Sequence, residues 1–266
     1  MIVENKDGLS FLENISDNEV SLVITDPPYI ISKTSGMQKQ FNDINSKTSS
    51  KSLEQWNIFS KDKVYTEEQK KNYMKYGSIM GKKYAYRSEF GDWDKNFTME
   101  ELDKCIKEYY RVLKTGGTLI LWFDIYKFET LKVLFEKHKF KQLRIIQWVK
   151  TNPVPLNSKT NYLSNAIEYA LLGVKVGKPT FKDEYHNGVY TFPNYTGNMR
   201  FHPTMKSINL FEKLINTHSN EGELVVDTFL GNGTTAIAAK NTKREFKGCE
   251  VNKEYYDKIK KMIFDS

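Results

Sequence analysis

The stretch Asp227–Lys240, DTFLGNGTTAIAAK, decides the fold. The apolar run ELVV leads into it and an alanine-rich segment leaves it, so the order is strand, tight glycine turn, helix. Gly231-Asn232-Gly233-Thr234-Thr235-Ala236 fits G-x-G-x-x-G/A, a spacing that lets a ligand approach the backbone closely. Glu250 ends the following strand, EFKGCE, 23 positions after Asp227, where an acid can accept both ribose hydroxyls. Taken alone, the turn suggests a dinucleotide. Three features favour another adenosine-bearing ligand. Asp227 stands at the strand end, placed for a cationic amino-acid tail; Phe229 gives the pattern F-x-G-x-G; and little chain follows Glu250 to build a second mononucleotide half. A sulfonium cofactor with adenosine, ribose and an amino acid matches these groups better than NAD does.

Outward from this stretch, strand-like runs alternate with helix-like ones, the signature of a parallel sheet flanked by helices. MIV starts a short strand, and Leu9, Leu12 and Ile15 share a face of the helix after it. SLVIT, Ser21–Thr25, reads as a buried strand. Thr98-Met99-Glu100-Glu101 is a capping box. It opens a helix striped by Leu102, Ile106, Tyr109 and Leu113, which Gly116-Gly117 is expected to end. TLILWF, Thr118–Phe123, is the next strand, followed by a helix with Phe128, Leu131, Leu134, Phe135 and His138 on one face. His138 reads as a cation at a helix C-terminus rather than a ligand. Further strands are expected around Leu143–Val149 and Ala166–Leu172. A helix with Ile208, Phe211, Leu214 and Ile215 precedes ELVVDTF, and one with Tyr256, Ile259 and Ile263 follows EFKGCE.

A second strand end carries VITDPPYI, Val23–Ile30. A carboxylate before two prolines presents one acceptor side chain and, at Pro27, a carbonyl with no N–H beside it. Tyr29 adds a flat face. Two acceptors and a stacking ring are what an exocyclic amino group on a planar base requires, so Asp26, Pro27, Pro28 and Tyr29 are the candidate catalytic residues.

The 266 residues carry a net charge of +7, and two distant cysteines exclude a disulfide framework or a cysteine-rich zinc site. No residue is read as a metal ligand. Residues 31–96 hold 13 Lys and Arg against 8 Asp and Glu, five of the seven net positive charges, interleaved with Trp56, Tyr65, Tyr73, Tyr76, Tyr84, Tyr86 and Trp93. Basic residues among aromatics suit a nucleic-acid surface, and equally a solvated insertion. This stretch has no clean period and reads as irregular. No apolar run reaches the roughly 18 residues of a membrane span, and MIVENKDGLS lacks a signal pattern, so no membrane association and a cytoplasmic location are expected.

TDPPY followed much later by DTFLGNGTT resembles the S-adenosylmethionine-dependent DNA amino-methyltransferases of permuted (beta) order, in which the catalytic motif precedes the cofactor motif. RVLKTGGTLILWFD (Arg111–Asp124), IIQWVKTNPVP (Ile145–Pro155) and HPTMKSINLFEKLI (His202–Ile215) also resemble family stretches in their expected places. The resemblance covers nearly the whole chain. It implies one α/β methyltransferase domain over 1–266, a Rossmann-like mixed seven-stranded sheet with helices on both faces. It also implies methyl transfer to adenine N6 in double-stranded DNA, in a bacterial or phage-encoded protein. Cofactor contacts are implied for Asp7, Lys206, Asp227, Phe229, Gly231, Gly233, Thr234 and Glu250. Lys206 is placed at the methionine end and Asp7 at the adenine amino group. Thr228 and Ser207 stand where the family usually has proline. Target recognition falls to the short segment 177–203, shared with 31–96.

Asp before Pro-Pro-Tyr favours adenine N6 over cytosine N4. The alternatives are a cytosine-N4 enzyme, a catalytically silent DNA-binding relative, or a methyltransferase of RNA or a glutamine side chain, against which the permuted order argues. Pyrimidine C5 methylation is disfavoured because neither cysteine has a neighbour that marks a nucleophile. A homodimer and a cognate restriction endonuclease are partners the resemblance allows.

Overall fold

The computed structural model describes residues 1–28, 64–76, 97–153, 166–195 and 205–264, with positions 52, 53, 56, 57, 60, 61 and 79. Met1–Tyr29 with Asn96–Ser266 form one compact unit, and Ile30–Lys95 a second.

In the larger unit, β1 (Ile2–Glu4), α1 (Gly8–Leu12) and β2 (Val20–Thr25) come first. In the smaller unit lies α2 (Glu67–Tyr76). The larger unit then continues with α3 (Met99–Val112), β3 (Leu113–Trp122), α4 (Phe128–Lys137), β4 (Lys141–Lys150), β5 (Ile167–Val174) and β6 (Val189–Phe192). It closes with α5 (Ile208–His218), β7 (Leu224–Asp227), α6 (Thr234–Asn241), β8 (Glu245–Cys249) and α7 (Lys253–Phe264). One sheet forms in the order β1-β8-β7-β2-β3-β5-β4-β6. The first five are mutually parallel; β5 runs antiparallel to both β3 and β4, and β6 is parallel to β4.

Every residue of β2 is buried, as a parallel strand covered on both faces requires. Leu22, Ile24, Ile120 and Trp122 join the core built with Leu210, Phe211, Leu214 and Ile215 of α5 and the alanines of α6. Their alternates in sequence, Val23, Leu119 and Leu121, are buried as well, as are Leu102, Ile106 and Tyr109 of α3. Among the described residues no helix is long and apolar enough to cross a membrane.

Four details differ from the sequence reading. The sheet has eight strands, because Val189-Tyr190-Thr191-Phe192, inside the segment 177–203 to which no strand was assigned, pairs with β4; residues 196–203 of that segment lie outside the described ones. Gly116-Gly117 does not end α3. That helix stops at Val112, where Leu113 turns extended, and the glycines sit in a bulge of β3, whose register jumps from Leu113 opposite Val20 to Thr118 opposite Leu22. At Gly116, φ is +78°, and a Cβ would lie 2.3 Å from the Lys178 carbonyl oxygen, so only glycine fits. On α1 the buried face is Phe11 and Leu12, continued by Ile15, with Leu9 only half-buried.

The fourth difference concerns the basic stretch. Within the smaller unit Thr66 and Gln69 form a reciprocal cap, each side chain accepting the other's backbone N–H, and α2 follows. Trp56 is buried, with the rings of Tyr65 and Tyr73 each 5.4 Å away. Part of 31–96 is therefore helical, with an aromatic cluster of its own.

His138 is the residue capping the C-terminus of α4, its Nε2 2.6 Å from Asp103 Oδ1.

Candidate active site

β2 and β7 are hydrogen-bonded neighbours, and the chain leaves them in opposite directions across the sheet, toward β3 and toward β8. That is a topological switch point, where an open α/β sheet binds its ligands beyond the strand ends. Asp26 follows β2 and Asp227 ends β7, so the two motifs, about 200 residues apart in sequence, meet side by side.

A hydrogen bond ties them. Thr25 Oγ1 donates to Asp227 Oδ1 at 2.7 Å; the Phe229 N–H donates to the same oxygen at 3.0 Å, and Thr235 Oγ1 to Oδ2 at 2.5 Å. Asp227 is buried all the same. Burial, with the Asp26 charge adding to it, outweighs these donors and pushes the carboxyl up to about 6. An acid whose ionisation burial opposes is one that a cationic group stabilises.

The glycine turn divides its labour. Gly231 has φ +54°, and a Cβ there would meet nothing nearer than the Phe229 carbonyl oxygen at 4.0 Å, so space stands open beside that backbone. Gly233 has φ +78° and caps α6; a Cβ there would press on Ile259 at 3.3 Å, so this glycine serves the packing of α7. Thr234, the first residue of α6, is buried. Glu250 braces the turn, accepting the Gly231 N–H at Oε2 and the Asn252 N–H at Oε1, each at 2.8 Å. Phe229 meets Phe97 edge-on at 5.2 Å. Open room at Gly231, a buried acid at the strand end and a second acid across the turn fit adenosine, ribose and an ammonium tail.

Asp7 lies beyond β1 and caps α1, accepting the Ser10 N–H at 3.0 Å. Partial burial opposes its ionisation, but the Ser10 donors and neighbouring backbone N–H groups outweigh this and hold its carboxyl below the usual range. Thr228, at the usual proline position, is buried against α3, its Oγ1 2.5 Å from the Tyr109 hydroxyl. Tyr29 lies outside the described residues.

Lys206, expected at the methionine end of the cofactor, lies against two acids. Its Nζ is 2.8 Å from Asp26 Oδ2 and 2.5 Å from Glu168 Oε2, and lies 5.5 Å from the centre of the Trp122 ring. Glu168 Oε1 in turn is 2.5 Å from Lys150 Nζ. Burial opposes charge on Glu168, but the two ammonium groups win and hold it down at about 2. Glu168 and Lys150 were missed by sequence reasoning. The signal was a lone acid in the buried strand IEYALLGV and a lysine ending WVK.

Strand order and paired turns define the class, a Rossmann-like methyltransferase that uses S-adenosylmethionine. The chain matches the model of the DNA methylase family over residues 20–261 and belongs to that family. It is 26% identical to the type II methyltransferase M2.DpnII of Streptococcus pneumoniae, over 99% of this chain and 89% of that one. With the type II methyltransferase M.HpaI of Haemophilus parainfluenzae it shares 25% identity, covering 96% and 72%. Among solved structures, the M1.HpyAVI–SAM complex superposes with a TM-score of 0.63 at 23% identity, covering 99% and 98%. The cytosine-N4-specific PvuII DNA methyltransferase superposes at 0.64 and 17% identity, covering 97% and 84%. These two likenesses speak for the fold.

One expected result concerns the brace. Glu250→Ala should weaken S-adenosylmethionine binding by about 1.5–3 kcal/mol, the worth of a hydrogen bond to a charged group. Calorimetry reads this, and unchanged affinity would remove Glu250 from the pocket.

Proposed function

We propose that this chain methylates adenine at N6, with Asp26, Pro27, Pro28 and Tyr29 receiving the base and Asp7, Lys206, Asp227, Phe229, Gly231, Gly233, Thr234 and Glu250 holding the cofactor. The observation that carries the reading is the Thr25–Asp227 hydrogen bond, which sets Asp26 and the two prolines after it beside the glycine turn on neighbouring strands. When bound, S-adenosylmethionine supplies a methyl group on a sulfonium sulfur.

The chain's own groups do the rest. The target base leaves the duplex at a cost of a few kcal/mol. Asp26 and the Pro27 carbonyl accept the two amino N–H groups, which keeps electron density on nitrogen as it turns from planar to tetrahedral. The proton that the amine sheds passes to Asp26. No covalent intermediate with the protein is needed, so positioning and polarisation carry the rate.

The acid before Pro-Pro-Tyr, where cytosine-N4 enzymes favour serine, supports adenine as the target. Residues 31–96, which come soon after the catalytic motif in sequence, and 177–203 are the proposed DNA-contacting segments; Lys82, Lys83 and Arg87, candidate phosphate contacts, lie outside the described residues. A homodimer and a partner endonuclease belong to the same reading, as does a cytoplasmic site of action. Long-read sequencing of DNA from cells expressing the chain tests the target base. N6-methyladenine in one fixed context is the expected result; N4-methylcytosine, or no modification, overturns it.

A further inference from the structure

Four alternating charges run from the catalytic strand end across the sheet. Asp26 follows β2, Lys206 precedes α5, Glu168 lies near the start of β5 and Lys150 ends β4. Because β5 runs antiparallel to its neighbours, its beginning falls at the same sheet edge as the ends of β2, β3 and β4. Consecutive members approach within 2.8, 2.5 and 2.5 Å. Burying such a chain is costly, and a well-packed apolar set is often as stable, so stability alone does not account for it.

The proposed chemistry does. An ammonium on Asp26 fixes the carboxylate, but it also draws away the electron density with which Asp26 must hold the amino group. We propose that Glu168 is a positioning residue for methyl transfer: by sharing the Lys206 ammonium it keeps that cation on one Asp26 oxygen while relieving Asp26 of part of its charge. Lys150 opposes Glu168 from the far side and sets how much it gives. This rests on the assignment of Asp26 to the base.

Among the described residues, the charged groups facing Asp26 include Lys206, Asp227 at the end of β7, and, through Lys206, Glu168. The signs follow. Glu168→Gln removes a negative charge and leaves the whole ammonium to Asp26, so Asp26 binds its proton less readily and its titration moves to lower pH. Lys150→Met removes a positive charge behind Glu168 and moves that titration to higher pH. Carbon NMR of the carboxyl groups in the cofactor-free protein reads both, with Asp26 and Asp227 signals assigned from Asp26→Asn and Asp227→Asn. In single turnovers at saturating S-adenosylmethionine, Glu168→Gln should slow methylation about tenfold at neutral pH with cofactor affinity within a few-fold. Glu168→Asp should recover most of that loss.

Opposite movements in the two variants support the proposal. Movement in one direction for both, or none, overturns it, and Lys150→Met alone decides if Glu168→Gln does not fold. Should the wild type methylate no DNA, the assignment of function fails instead. An unmoved Asp26 signal with wild-type methylation intact refutes only the role of Glu168.

Discussion

Asp26→Ala is expected to lower the rate of methyl transfer by about a thousandfold while S-adenosylmethionine binds within a few-fold of wild type, since removing one preorganised polar group from a reaction centre costs about 10²–10³. The carboxylate acts on the base, so its loss should spare the glycine turn. Truncation also leaves Lys206 with Glu168 as its neighbour at 2.5 Å, so the cation keeps an anionic partner and the fold should survive. Single-turnover methylation and cofactor calorimetry separate the two effects. Substantial turnover in the variant, or cofactor binding lost in step with rate, would contradict the assignment.

The second large effect is proton-linked and belongs to Asp227. Its carboxyl titrates near 6 in the folded protein, raised by burial from the ordinary 3.8. The folded state therefore binds the proton more tightly than the unfolded chain. Between about pH 4 and pH 6 this group contributes stability at the acid end and loses it as pH rises, by up to about 3 kcal/mol. Asp227→Asn should remove that slope from denaturation curves of the cofactor-free protein. A bound ammonium tail reverses the preference, because it favours the carboxylate. Affinity for S-adenosylmethionine should then rise with pH, by up to tenfold per unit below about 6, and level off above. In Asp227→Asn it should be flat in this range and weaker by about 1.5–3 kcal/mol at neutral pH. Flat, wild-type-like affinity in both proteins would sink the contact.

The strands that carry the motifs were legible because their chemistry is local. SLVIT is a run of buried residues, and the acid, glycine and alanine positions after ELVV fix strand, turn and helix within a few residues of each other. What escaped notice depends on partners remote in sequence. Gly116-Gly117 looks like a helix stop, yet the need for glycine comes from the Lys178 carbonyl some sixty residues on. β6 is four residues framed by turn formers, and it becomes a strand only because β4 offers an edge, with the Trp148 indole N–H donating to the Phe192 carbonyl at 2.9 Å. The Lys206 contacts were hidden for the same reason. A lysine after a methionine says nothing of an aspartate 180 positions earlier until the sheet brings β2 and α5 together. Thr66-x-x-Gln69, by contrast, is a local capping pattern that was open to reading and passed over.

The permuted strand order also governs how the protein is made. β1 pairs with β8, and β2 lies between β3 and β7, so the first two strands have to wait for the last two before the parallel half of the sheet closes. During synthesis, α3, β3, β4 and β5 are available to one another while one edge of β2, a strand the folded protein buries along its whole length, has no neighbour from β7. Such an edge is a template for wrong pairing on a nascent chain. Closing it requires contacts of very high sequence separation, which form slowly. The strand that leads into Asp26 therefore keeps an open edge on the ribosome, and the catalytic centre comes into being only when β7 slots in beside it.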